Sequence, residues 1–127
     1  MIENLTKQEL EAILDSIPVE ISFVDKDDKV RYFNKEERRI FPRTHAVIGR
    51  KVQQCHPHKS IHVVNQILDD FKKAHRDIAE FWIKNKERLI YIRYFAVRDK
   101  EGNYLGCLEA TQDITEIKKI EGEKRLL

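Results

Sequence analysis

Cys55, His56, His58 and His62 form the densest group of chemically able side chains in the sequence. Thiolate and imidazole are ligands suited to zinc, iron or heme. His58 and His62 stand four apart, so a helix that starts early puts both on one face. The competing reading is a polar loop and helix start, Cys55-His56-Pro57-His58-Lys59-Ser60, with its imidazoles in water. No second Cys/His group has metal-site spacing, which argues against a closed structural zinc site. A charged histidine at a helix start opposes the helix dipole. A neutral imidazole, ligating or hydrogen-bonded, suits that place better. These four residues are therefore candidate ligand-binding residues, and candidate ligands for a heme or metal.

Three further candidates lie in apolar runs. Arg93 interrupts Leu89-Ile90-Tyr91-Ile92-Arg93-Tyr94-Phe95. An arginine there can hold a carboxylate or a heme propionate through two parallel hydrogen bonds. It can equally pair with Glu80 or Glu109 on neighbouring strands. Trp82 follows Phe81, and strand alternation sends one of them toward the core or a pocket and the other to the opposite side. For Trp82 a pocket role competes with burial under a helix or in an interface. Tyr94 either lines a pocket or fills the core together with Phe23, Phe71 and Leu108. No nucleophile stands beside a base, since Ser16, Ser22 and Ser60 lack any activating context. The four glycines are scattered, so no phosphate-binding loop is present. No catalytic residue emerges, and the chain is expected not to be an enzyme. A light-formed flavin–cysteine adduct is disfavoured too, because Cys55 sits in Gln54-Cys55-His56-Pro57 rather than in an Asn-Cys-Arg-Phe-type helix.

The elements that must position these residues can be read from periodicity. Thr6 and Glu9 make a capping box, and Leu10, Ile13, Leu14 and Ile17 an apolar stripe, so a helix runs to Pro18. Glu20 to Lys26 alternates, with Ile21 and Phe23 opposite Ser22 and Val24. Asp27-Asp28 turns, and Lys29 to Asn34 alternates again, which predicts a hairpin. Lys35 to Arg39 reads as a short charged turn of helix. Gly49 marks a bend. Ser60 caps the clearest helix, whose apolar face is Ile61, Val64, Ile67, Leu68 and Phe71. Ile78–Lys84, Arg88–Arg98 and Tyr104–Gln112 are three strands. Asp113 and Thr115 can cap a helix that starts at the end of the last strand. Glu116 to Leu127 reads as that helix, charged, with Ile117, Ile120 and Leu127 as apolar points, and weakened by Gly122 by about 1 kcal/mol. This order predicts an α+β domain with one five-stranded antiparallel sheet, helices packed on one face, and flanking N- and C-terminal helices.

Composition sets the class. The 127 residues suffice for one domain with a modest core. Basic and acidic residues, 24 against 22, nearly cancel, so nothing in the charge favours nucleic acid. No apolar run approaches the ~20 residues of a membrane span, and the N-terminus lacks a secretory signal pattern. A cytoplasmic location is the expectation, with Cys55 and Cys107 as free thiols.

Val24-Asp25-Lys26-Asp27-Asp28-Lys29-Val30, Phe33-Asn34, Ile48-Gly49-Arg50, the hairpin from Val97 to Gly102 and Asp113-Ile114-Thr115 occur in the order of the PAS family. The chain resembles PAS domains from about Leu10 to Thr115. Cys-His-Pro and Glu80-Phe81-Trp82-Ile83 make it most similar to those at the C-terminus of hemerythrin-like (DUF438-type) bacterial and archaeal proteins. The resemblance implies a flanking helix over 1–17, a PAS core over 18–115 and a signalling helix over 116–127. It implies a pocket between the sheet and the long helix that holds heme, flavin, a small metabolite or nothing. It further implies signal relay through Asp113 and Thr115, a homodimer, and a hemerythrin-like or effector domain elsewhere. The expected function is sensory or regulatory, with the ligand unidentified. The alternatives are a heme or metal protein and a ligand-free dimerisation module.

Overall fold

A computed structural model describes all 127 residues. Helix α1 (Lys7–Ser16) begins where the capping box predicts. The Glu9 amide donates to Thr6 Oγ1 at 3.0 Å, and the Thr6 amide donates to Glu9 Oε1 at 2.9 Å. Strands β1 (Glu20–Asp25) and β2 (Val30–Phe33) form the expected hairpin. Helix α2 (Ile61–Lys72) comes after two short 3-10 turns, Val52–Cys55 and His58–Ser60. Strands β3 (Ile78–Asn85), β4 (Arg88–Arg98) and β5 (Tyr104–Asp113) complete the domain. The five strands make one antiparallel sheet in the order β2-β1-β5-β4-β3. This is the α+β architecture that the periodicity predicts.

Register divides the side chains between two faces. Val24 pairs with Cys107, Ser22 with Glu109 and Glu20 with Thr111 across β1 and β5. Tyr94 pairs with Glu109 across β4 and β5, and with Ala79 across β3 and β4. These residues share the inner face, the one that α2 covers. There Ile67, Leu68 and Phe71 of α2 bury against Val24, Ala79 and Cys107. The outer face carries Phe23, Leu108, Phe95, Arg93, Tyr91 and Trp82.

Asn34 joins the pieces. Its side chain is 1% exposed. Its Oδ1 accepts the Ile21 amide, and its Nδ2 donates to the carbonyls of Leu14 and Val19. Every polar atom is thereby matched, which a buried amide requires. The end of β2 is thus tied to β1 and to α1, which itself buries no residue completely.

Three expected elements differ. Lys35 to Arg39 is a run of turns rather than a helical turn, with Lys35 at φ 54°. Ser60 precedes α2, but its hydroxyl donates to the Pro57 carbonyl instead of capping the helix. The C-terminal helix over 116–127 is replaced by one 3-10 turn, Ile117–Lys119, and then irregular chain. No face of the domain covers Ile117 or Ile120, which is 72% exposed, and Gly122 takes φ 64°. A segment this short, with no packed face, lacks the propagation that offsets helix nucleation.

Candidate functional site

A crevice lies between α2 and the inner sheet face. Val24, Val52, Val64, Ile67, Leu68 and Cys107 wall it. Its polar end is made by His56, Tyr94 and Glu109. The space open to a water-sized sphere is about 20 Å³, enough for roughly one water molecule. Sites for drug-sized ligands have ~300 Å³ or more.

Two ion pairs involve the inner face, one partly buried at the polar end itself and one fully buried. Arg43 Nη2 meets Glu109 Oε2 at 3.3 Å, each side chain 13% exposed. Arg43 Nε is buried without an acceptor. Arg39 Nε lies 3.2 Å from Glu20 Oε2, each side chain 3% exposed. The rest of the Arg39 guanidinium donates to the Ile21 and Asn34 carbonyls and to Ser22 Oγ. Glu20 in turn accepts the amides of Ile40 and Phe41. Burial pushes the Glu20 carboxyl above its ordinary range, opposed by the charge of Arg39. With hydrogen bonds to both partners, the pair avoids the cost of isolated buried charge.

Burial also sets the pocket groups. It lowers the pKa of His56, with Glu109 pulling the other way and Arg43 adding to the fall. The Cys107 thiol is pushed up to about 12 by burial, which makes it an unreactive wall rather than a nucleophile. Burial likewise raises the Tyr94 phenol.

The sequence candidates separate. His56 and Tyr94 line the crevice. Cys55 packs against the core edge with its sulfur toward the Lys51 carbonyl. His58 and His62 are exposed. No three His, Cys, Asp or Glu side chains are grouped as metal ligands. The physical reason is the pair of 3-10 turns around Pro57, which turns His56 inward and leaves the other two imidazoles in solvent. A heme or flavin does not fit this crevice either. One imidazole faces it, but the volume is far too small.

Trp82 and Arg93 leave the pocket altogether. Trp82 pairs with Tyr91 on the outer face and is 65% exposed, so its own helices do not bury it. Arg93 stacks over the rings of Tyr91 and Phe95, at 4.9 and 5.4 Å from their centroids. Neither expected ion pair forms. Glu80 accepts the Tyr91 hydroxyl instead, and Glu109 lies on the other face. Phe23 and Leu108 are also outer-face residues, so of the expected core fillers only Phe71 and Tyr94 act as such. Sequence reasoning missed Glu20, Arg39, Arg43 and Glu109 as interior groups. Alternation of Cys107, Glu109 and Thr111 could have located Glu109. Nothing in the irregular Lys35–Arg43 segment marks its two inward arginines.

At the exit of β5 the Asp113-Ile114-Thr115 motif forms a staple. Asp113 Oδ1 accepts the Thr115 amide at 3.0 Å and its hydroxyl at 2.6 Å. Thr115 Oγ1 accepts the Leu89 amide. Arg88 Nε donates to Asp113 Oδ2 at 2.7 Å. These bonds lower the Asp113 carboxyl to about 2.

Residues 10–115 match the family model described as PAS domain. The chain belongs to the PAS domain family. Its structure is similar to that of the C-terminal domain of a Streptococcus mutans protein, with 33% identity and a TM-score of 0.86, covering 92% of this chain and 91% of that one. The PAS domain of Bordetella pertussis BvgS shares the fold at 18% identity and a TM-score of 0.64, with 88% of each chain covered. A sensory box sensor histidine kinase from Vibrio cholerae does so at 16% identity and 0.59, covering 84% of this PAS domain and 89% of that chain. No curated protein matches in sequence. No helix of this PAS domain is long and apolar enough to cross a membrane.

Proposed function

We propose that this PAS domain is a sensory or regulatory module rather than an enzyme. It binds a small ligand in the crevice under α2 and passes the change out through the Asp113–Thr115 staple. One observation carries this reading. Strand β5 supplies both the crevice residues Cys107 and Glu109 and, further along the same face, the staple residue Asp113. A ligand that shifts Glu109 acts on the strand that anchors the exit. A ligand moves such an equilibrium only by its different affinity for the two states. The test is hydrogen exchange at the amides of Ile114 to Lys119 with and without a crevice ligand. Unchanged exchange at saturation would refute relay through the staple.

The S. mutans relative is itself a C-terminal domain. That supports a place at the end of a larger protein; the cytoplasmic location and the hemerythrin-like or effector partner that we propose with it rest on the sequence alone. A ligand-free dimerisation module is the second reading. The narrowness of the crevice and the exposure of Trp82 and Ile78 on the outer face favour it. Sedimentation equilibrium tests it, since a monomer at high concentration eliminates that version.

A further inference from the structure

On the reading of the crevice as a ligand site, we infer that its ligand is small and uncharged: a short aliphatic chain ending in a hydroxyl or amide group. The walls decide the body of the ligand. Val24, Val52, Val64, Ile67 and Leu68 offer no hydrogen-bonding atom to it, so the buried part must be apolar. The space of about 20 Å³ holds roughly one water molecule, so even a ligand of a few heavy atoms enters only as the half-buried Val64 moves aside, and larger ones are shut out.

The polar end decides the head group. Glu109 is the one carboxylate of the crevice and is already neutralised by Arg43. An anionic head would face Glu109 across a water-poor space. A cationic head would compete with Arg43 for the same carboxylate, and would strand the Arg43 guanidinium, whose Nε already lacks an acceptor. Either charge must also leave water for an apolar cleft, at a cost that only a free counter-charge repays. Glu109 has one oxygen engaged by Arg43, which leaves the other to accept from a hydroxyl or amide. The Tyr94 hydroxyl and the His56 imidazole complete the neutral polar group set.

The experiment uses four probes of matched size: propan-1-ol, propanamide, propanoate and propylammonium. Methyl resonances of Val52, Val64 and Leu68 report occupancy at neutral pH. Saturable shifts are expected for propan-1-ol and propanamide, with propanoate and propylammonium at least about tenfold weaker. Glu109→Gln, checked for a native sheet spectrum, should weaken propanamide about tenfold, the cost of one hydrogen bond to a charged acceptor. Val64→Ala should shift the preferred chain to butyl. Tighter binding of either charged probe overturns the inferred class and leaves the sensory reading standing. Saturation by propan-1-ol without altered exchange at Ile114 to Lys119 keeps the class and removes the sensory reading. If no probe moves the three methyls, the crevice is not a ligand site and both fall.

Discussion

The two faces of the sheet handle arginine in opposite ways. On the inner face the Arg39 side chain is 3% exposed, and its donors meet Glu20, Ser22 and the carbonyls of Ile21, Asn34 and Phe41. On the outer face Arg93 has no acidic partner and lies between two aromatic rings. The inner arginine is an electrostatic keystone, since removing it strands a carboxylate in the interior. The outer one rests its charged plane against the two ring faces, with its Nε buried and without an acceptor. Position relative to the helix layer, not residue type, decides which role an arginine takes.

Arg39→Met should have the largest effect, because it leaves Glu20 buried and uncompensated. The expected loss is about 3–5 kcal/mol in denaturant unfolding, and a loss under ~1 kcal/mol would abolish the contrast between the faces. Gly106→Ala comes next. A Cβ there would stand 2.2 Å from the Val24 carbonyl oxygen and 2.7 Å from the Phe23 ring. The neighbour is backbone and cannot swing aside, so a loss of about 2–3 kcal/mol is expected.

The third test is pH. The folded-state pKa of His56 lies below its ordinary value of 6.5 because of burial. The unfolded chain therefore binds more protons just below pH 6.5, and stability should fall as pH drops through that window. His56→Phe should flatten that part of the profile, and an unchanged slope would mean that His56 is not the responsible group. Arg93→Met, the outer-face counterpart of the first change, should cost no more than ~1 kcal/mol. A cost like that of Arg39→Met would erase the comparison. Trp82→Ser should move monomer stability by only about 0.5 kcal/mol. A fall in self-association with this variant would instead locate a dimer contact on the outer face.

The sheet, the hairpins and α2 were legible because alternation and helical spacing survive wherever one face is buried. The capping box was legible because it is wholly local. Arg39 and Arg43 were not legible, since a charged stretch of turns normally faces water and only distant Glu20 and Glu109 draw these two inward. Trp82 shows the converse. Size and hydrophobicity suggest burial, yet register with Tyr91 puts it on the face that no helix covers. The Glu116–Leu127 helix failed because amphipathic spacing stabilises a helix only when something receives the apolar side. His56 separates from His58 and His62 through backbone turns around Pro57 that spacing cannot reveal.

Strand order has a consequence for how the chain acquires its structure. β1 sits between β2, its neighbour in sequence, and β5, the last strand, with Glu20 beside Thr111. The first hairpin can close at once, but its inner edge waits until nearly the whole domain has left the ribosome. Pairings of such long sequence separation fold slowly and leave an unpaired edge open to other chains meanwhile. Charge guards that edge only at its two ends, through Glu20 and Asp25, while Ile21, Phe23 and Val24 lie exposed between them until β5 arrives.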